Sequence, residues 1–516
     1  MDTTTSVPTR LRDVVRAGTV ASPHLPWPRA LVSREAWGEA IASLCAGDCD
    51  LLGLWADAQQ VHMALAQGGE FAVLSVTCED GSFPSVGQLH PPAIRLERAI
   101  RDLWALTPQG LGDLRPWLDH GRWIAPRGAA AAHAGARGDP PAQPTAYPFL
   151  SAEGESLHQI GVGPVHAGII EPGHFRFTAN GEAVVRLEER LGYTHKGTEW
   201  LMQGLPIERA AVLAGRVSGD STVAYALAFA RAVEAAWGIE VPLRAVWLRA
   251  LMAELERLAN HFGDIGAICN DASFAMLHAQ FGHLRERVLR VADQCFGHRL
   301  MMDRVLPGGV RTDLPEGGAR LILALLAEIR GRFAELVELY DNTASLQDRT
   351  VGTGVLSAAL ARQFACGGYV GRASGRNFDA RRTPGYAPYD DLQFESPVLQ
   401  EGDVDARIRL RMLEIEQSMA LIDQLLRRLP QGPIAIAPLA RPAPGRHEGV
   451  ALVEGFRGDI LVWLRTGPDG CIERCHLRDP SWSQWPVLEA AIEGNIVADF
   501  PLCNKSFNCS YSGHDL

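Results

Sequence analysis

No Cys-x-x-Cys occurs in the 516 residues, although ten cysteines do, at positions 45, 49, 78, 269, 295, 366, 471, 475, 503 and 509. The chain therefore offers no paired-thiolate metal or redox motif, and the cysteines are expected to be reduced thiols of a cytoplasmic protein. Cys471-x-x-x-Cys475-His476 is the one cluster with metal character. A metal site needs more convergent ligands than this, so Asp469–Arg478 is expected to be an alternating strand. Long apolar runs are also absent. The richest helical region, Val223–Trp237, is broken by Arg231 and Glu234, which excludes a membrane span there. The start, Met1-Asp-Thr-Thr-Thr-Ser, lacks a charged segment followed by an apolar one, so no signal peptide is expected. Basic surplus is missing too: the net charge is -11 and the pI about 5.8, which argues against a nucleic-acid partner. What remains is ordinary for a globular protein, 47% hydrophobic and 21% charged, and the length implies two or three domains.

The clearest break in composition is the Ala/Gly/Pro-rich run 126–147, which reads as a linker between a first unit, 1–125, and a second, 148–516. Before it, 56–66 and 70–78 read as strands meeting at Gln67-Gly-Gly, and Pro91–Leu106 as a helix. After it, 157–190 is strand-rich, with a hairpin signal at Asn180-Gly181. From 193 to 345 the pattern turns helical. Apolar residues at 247, 248, 251, 255, 258 and 262 follow the 3.6 period, and 315–347 reads as another helix. A third long helix is expected over 405–428, stopped by Pro430, and strands return over 448–480.

Four segments have residues suited to chemistry. Gly163-Pro-Val-His166-Ala-Gly-Ile-Ile-Glu171-Pro-Gly-His174-Phe-Arg places two imidazoles and a carboxylate close together, which fits a proton relay or a polar hairpin. Gly192-Tyr-Thr-His195-Lys-Gly-Thr-Glu199 is followed by Arg216-Val-Ser218-Gly-Asp220-Ser221, where the serines either cap a helix or bind a polar ligand. Arg372-Ala-Ser-Gly-Arg376 with Asp379, Arg381 and Arg382 suits an anion or an acidic partner, or a solvated loop. The tail from Asp499 is apolar and small enough to dock on the core.

In this order the segments resemble the catalytic large subunit of membrane-bound nickel–iron hydrogenases of the formate hydrogenlyase type. The quinone-site subunit of respiratory complex I is a more distant likeness. The resemblance is carried by His166 and Glu171-Pro-Gly-His174-Phe-Arg, by Gly-Tyr-Thr-His195-Lys-Gly-Thr-Glu199, and by Glu254-Leu-Glu256-Arg257-Leu-Ala-Asn260-His261 with Asp264-Ile-Gly. It continues through Leu306-Pro-Gly-Gly-Val310 with Asp313, Arg372-Ala-Ser-Gly with Asp379, Gly402-Asp403-Val-Asp-Ala-Arg407, and Ile496-Val-Ala-Asp499-Phe-Pro-Leu with Lys505-Ser-Phe507. Leu96-Glu-Arg-Ala-Ile-Arg-Asp102-Leu-Trp104 is similar to the small subunit that complex I sets beside the large one. The resemblance implies an α+β, multidomain fold: a small N-terminal α/β domain, then a mainly α-helical large-subunit-like domain with peripheral β-sheet.

The departure from the family is as specific as the match. The hydrogenases hold nickel and iron through two Cys-x-x-Cys pairs. Here the first pair aligns with Ser218 and Ser221 and the second with Ser510 and Gly513, with Cys509 one place out of register. Serine is a poor substitute for soft thiolate, so no nickel–iron centre and no metal ligand is expected. The resemblance then implies an oxidoreductase subunit of the NAD(P)H/quinone type, taking electrons from an iron–sulfur cluster in a small partner subunit to a quinone or another small acceptor. His166, Glu171, His174 and Glu199 would handle protons, and Arg216, Ser218, Asp220, Ser221 and Ser510 would line the acceptor pocket. The implied partners are that iron–sulfur subunit and antiporter-like and quinone-channel-type membrane subunits, which would hold the chain on the cytoplasmic face of the inner membrane. Two alternatives stand beside this reading: a non-catalytic scaffold of such a complex, and a hydrogenase with unusual ligation.

Overall fold

The computed structural model describes residues 10–21, 23–120, 147–436, 439 and 441–516. The Ala/Gly/Pro-rich run 126–147 lies outside them, Tyr147 excepted. The architecture is α+β in several packed units, as the sequence implied.

The N-terminal unit is a five-stranded sheet in the spatial order Thr19–Ala21, Arg29–Leu31, Glu70–Thr77, Gln60–Gln67, Asp50–Ala56. Gly68 and Gly69 turn the central hairpin with positive φ, a conformation glycine adopts at no steric cost. The strand expected over 56–66 begins instead at Gln60. The Asp57 carboxylate accepts the Gln59 and Gln60 N–H groups, both at 3.0 Å, and this turn separates a preceding strand that ends at Ala56. The helix Ile94–Trp104, entered through a short turn at Pro91–Ala93, packs on that strand.

This unit is built into the rest of the molecule. His24–Leu25 pairs in parallel with His447–Glu454, adding a fourth strand to the C-terminal sheet of Ile472–Arg478, Asp459–Thr466 and His447–Glu454. Trp27, Trp55 and Phe71 share one core with Val450, Leu461 and Trp463. Arg29 pairs with Glu448 at 2.7 Å, and Arg465 with Asp57 at 3.0 Å.

The large domain centres on Leu243–Asp271, which is buried along most of its length against Ala275–Phe296, Thr222–Trp237 and Val404–Arg427. The helix expected over 315–347 runs Gly318–Asp341, breaks at Asn342 and resumes as Ala344–Thr350. Asp403 caps Val404–Arg427 by accepting the Ala406 N–H at 2.7 Å. An antiparallel sheet of Leu157–Val162, His174–Asn180 and Ala183–Arg190 turns at Gly181, as Asn-Gly implied. Among the described residues no helix is long and apolar enough to cross a membrane.

One expectation is overturned here. Composition sets the arginines of 372–382 against an anion, an acidic partner or water, but Arg372 and Arg381 are buried. Arg372 donates to Glu414 at 2.6 Å and to Glu454 at 2.8 Å, and Arg381 pairs with Asp379 at 2.7 Å and Glu254 at 3.1 Å. Three of these four acids come from elements far away in the chain, so local composition could not reveal them.

Candidate functional site

The chain leaves the helix Ile207–Ala214, passes Ser218, makes a tight turn at Gly219–Ser221 and enters the helix Thr222–Trp237. Ser221 stands at the N-cap position, yet its side chain caps nothing. The Val223 and Ala224 N–H groups donate instead to the Glu256 carboxylate, at 2.7 and 3.0 Å, so a neighbouring helix supplies the cap. Burial pushes Glu256 up to about 8 despite those two bonds. The serine hydroxyls are thereby released to Asp220. Ser218 Oγ donates to Asp220 Oδ1 at 2.7 Å and Ser221 Oγ to the same atom at 3.3 Å.

Arg457, at the tip of the hairpin between His447–Glu454 and Asp459–Thr466, clamps Asp220 with both terminal guanidinium nitrogens, at 2.8 and 2.5 Å. Burial alone would raise the Asp220 carboxyl. Arg457 and the two hydroxyls outweigh it and hold the group below the usual carboxylate range. Asn260 donates to the Asp220 carbonyl at 2.7 Å.

The tail closes this cluster from the far end of the chain. The helix Phe500–Phe507 stops at Asn508, whose carbonyl accepts from Arg457 Nε at 2.5 Å and whose side chain donates to Asp264 at 2.8 Å. Ser510 Oγ donates to Ser218 Oγ at 3.2 Å and accepts the Gly513 N–H at 3.0 Å, capping Tyr511–Asp515. Cys509 turns away toward Gln484 in the core, and burial pushes its thiol well above the ordinary range. The tail also touches the first expected segment: Glu171 accepts the Ser512 N–H at 3.0 Å, and the Tyr511 hydroxyl lies 3.5 Å from His166 Nε2.

His166, Glu171, Ser218, Asp220, Ser221 and Ser510 are thus brought together around the tail. Three expected residues stand apart. Arg216 makes a two-pronged ion pair with Asp303, at 2.9 and 2.7 Å, on the outer side. The His174 ring rests against Phe149 with Nδ1 3.2 Å from the Gly163 carbonyl, and burial lowers its pKa. Glu199 faces the N-terminal unit and accepts from Arg474 at 2.7 Å and from His476 and the Leu477 N–H at 2.8 Å each. The residues missed were Arg457, Asn508 and Glu256. A charged residue between two glycines, Gly455-Phe-Arg457-Gly458, was the available signal for the first. Among the described residues no three His, Cys, Asp or Glu side chains converge as a metal ion would require.

Residues 272–448 match the family described as "Respiratory-chain NADH dehydrogenase, 49 Kd subunit". Formate hydrogenlyase subunit 5 of Escherichia coli is 32% identical over 447 residues, covering 86% of this chain and 78% of that protein. The chain belongs to the family of membrane-bound hydrogenase and complex I large subunits. Carbon monoxide-induced hydrogenase of Rhodospirillum rubrum is similar to this large subunit at 33% identity over 354 residues, 68% of the chain and 98% of that protein. The NADH-quinone oxidoreductase C/D protein of Bacteroides thetaiotaomicron is 30% identical over 348 residues, 67% and 65% respectively. This large subunit is accordingly part of a complex I-like, hydrogenase-related oxidoreductase.

Glu199 gives a pH test of the fold around its site. Burial would raise its carboxyl, but Arg474, His476 and the Leu477 N–H hold it at about 2. A depressed carboxyl stabilises the fold above its unfolded pKa, and that stability is lost as pH falls from about 4.3 toward the folded value. Glu199→Gln is expected to cost about 3 kcal/mol at pH 7, with the gap from the unsubstituted protein narrowing to roughly half as the pH falls to about 3. Urea unfolding at both pH values measures it, and a gap independent of pH would refute it.

Proposed function

We propose that this large subunit passes electrons from an iron–sulfur cluster in a small partner to a quinone or other small acceptor, and does so without a nickel–iron centre. Antiporter-like and quinone-channel-type subunits would hold it at the cytoplasmic face of the inner membrane. The observation carrying this reading is the serine cluster. Where the resembling hydrogenases set thiolates, this chain gathers three hydroxyls, already bonded to one another and to Asp220, beside the Arg457 guanidinium. Hydroxyl oxygens are hard ligands that keep their protons, and a fixed cation opposes a metal, so the donors do not fit nickel and iron. At the fourth position, a Cβ on Gly513 would lie 2.7 Å from Asp479 Cγ and 2.9 Å from Ser510 Oγ, leaving no room for a cysteine. The nearby carboxylates and imidazole, Glu171, Asp220 and His166, suit proton delivery to a reduced acceptor.

The test is reduction of a short-chain quinone by the purified, assembled complex. Asp220→Asn and His166→Ala are each expected to lower the rate about tenfold or more, within the range of general acid–base catalysis. Stoichiometric nickel in the complex, or unchanged rates in both variants, would overturn the reading. A second reading, a scaffold that only docks its partners, is favoured by the closure of the serine cluster on itself. It expects both variants to keep the full rate wherever the complex assembles.

A further inference from the structure

The sheet of Leu157–Val162, His174–Asn180 and Ala183–Arg190 carries positive charge that no carboxylate among the described residues answers. Side chains alternate between the faces of a strand, so His174 and Arg176 share a face with Glu188 and Arg190 of the neighbouring strand. His174 lies opposite Arg190 and Arg176 opposite Glu188, which sets the two arginines on a diagonal, within reach of one small ligand. Glu188 is the one carboxylate of these strands on that face, and it is already engaged: it pairs with Arg115 and accepts the Leu150 N–H at 2.9 Å. Asp113, on the other side of Arg115, is held by it at 2.7 Å and by Arg98 at 3.2 Å. The side chains of Arg176 and Arg190 are left with no ion pair and no hydrogen bond among the described residues. Burial, and after it these guanidiniums, lower the pKa of both neighbouring imidazoles, His120 to about 4 and His174 below its ordinary value.

Aromatic faces fix both arginines. The Arg176 guanidinium lies 4.7 Å from the centre of the Phe149 ring, and that of Arg190 lies 5.5 Å from Tyr147 and 5.1 Å from Tyr193. Each Nε is buried against those rings, so the terminal nitrogens are the donors left to a ligand, and both side chains are half-buried. Gly161, exposed and opposite Arg176 on the third strand, keeps the approach open: a Cβ there would lie 3.4 Å from the His174 ring and 3.7 Å from the Arg176 guanidinium carbon. A carboxylate fills one guanidinium fork with its two oxygens, whereas a tetrahedral phosphate has further oxygens for a second fork. We propose that Arg176 and Arg190 bind a phosphate group. Two sources carry it, free phosphate and the headgroup of an anionic phospholipid. Exposed Val165 and Ile169, on the segment joining the first two strands, suit the second. The site does not include the serine cluster and does not rest on the electron-transfer reading, because binding to the full chain is measured without turnover.

The probes are inorganic phosphate, titrated by calorimetry, and vesicles of phosphatidylcholine and phosphatidic acid in equal parts, pelleted with the full chain against a blank of phosphatidylcholine alone. Saturable binding of at least one probe is expected, phosphate marking a free ligand and the vesicles alone a lipid. Arg176→Gln and Arg190→Gln are each expected to weaken binding about tenfold or more, the worth of a charge-assisted hydrogen bond. Neither change strands a partner, so both variants are expected to keep the melting temperature. Arg290→Gln removes an equal charge from an exposed pair with Glu286 and is expected to leave binding unchanged. Gly161→Asp sets a carboxylate beside Arg176 and is expected to displace both probes. Failure of both probes to bind, equal losses in the Arg176, Arg190 and Arg290 variants, or binding that survives Gly161→Asp would each overturn the proposal. If a glutamine variant fails to fold, the probes on the unsubstituted chain and on Gly161→Asp still decide it.

Discussion

Arg372→Met is expected to cost about 3–5 kcal/mol of stability at pH 8, because removing one partner of a buried ion pair strands the other. The Arg372 side chain is 1% exposed, and the two carboxylates it binds, those of Glu414 and Glu454, are 2% and 0% exposed. Water cannot replace the lost guanidinium. Arg257, 3.7 Å from Glu414, offsets part of the loss, which keeps the expected value from running higher. The cost also has a direction in pH. Stranded acids escape by taking up protons, so their folded pKa values rise above the unfolded value of about 4.3. A raised carboxyl pKa means that stability falls as pH climbs through that window. Glu454 already lies up at about 7, driven by burial and by nearby Asp379 against the pull of Arg372. The deficit is therefore expected to be smaller at pH 6 than at pH 8. Urea midpoints at the two pH values, with an unchanged denaturant slope, give the measurement. A loss under about 1 kcal/mol, the scale of an exposed pair, would show that the arginine is not buried in solution. The effect reaches the serine cluster as well. Arg257, in the same network, donates to the carbonyls of Glu454 and Gly455 and so holds the hairpin tip that carries Arg457.

Gly513→Ala is expected to cost about 2–3 kcal/mol, the range of forced overpacking. The added methyl would press on Asp479 and Ser510, and neither can yield cheaply. Asp479 accepts from the Tyr225 hydroxyl and from the Ser481 N–H, and Ser510 Oγ links the tail to Ser218. Relief would break one of these contacts or lift the tail off the cluster. Gly219→Ala is the matched control. It lies beside the same serines with open space around its Cα and is expected to change stability by less than about 0.5 kcal/mol. Equal melting temperatures for the two variants would remove the crowding argument. With it would go the structural ground for excluding a cysteine at 513.

Much of the fold was legible because single residues or short periods decide it. Asn180-Gly181 and Gly68-Gly69 turn their hairpins because a tight turn needs positive φ. The 3.6 period over 247–262 marks the face of the central helix against its neighbours. Ends were less legible. The extra strand before Gln60 depends on the Asp57 carboxylate accepting particular N–H groups, and at the break the Asn342 and Thr343 side chains donate back to the Glu338 and Leu339 carbonyls, none of which periodicity reports. The site was legible in part. Ser218, Ser221, Asp220 and Ser510 do converge, although Ser221 caps no helix, because Glu256 reaches the helix start first. Arg216 left the group since Asp303 offers it a two-pronged partner at the surface, and Glu199 left since Arg474 and His476 meet it on the opposite side.

By itself the sequence determined which donors exist: hydroxyls and a glycine at the positions where the resembling hydrogenases have thiolates, in a chain with no paired cysteines. That is a matter of chemical identity, which needs no coordinates. Only the tertiary structure decided which charges neutralise one another, that Arg457 closes on Asp220, and that Glu199 belongs with His476 in a separate cleft. The physical reason is that an ion pair or hydrogen bond depends on distance and on exclusion of water, and neither is a function of separation along the chain.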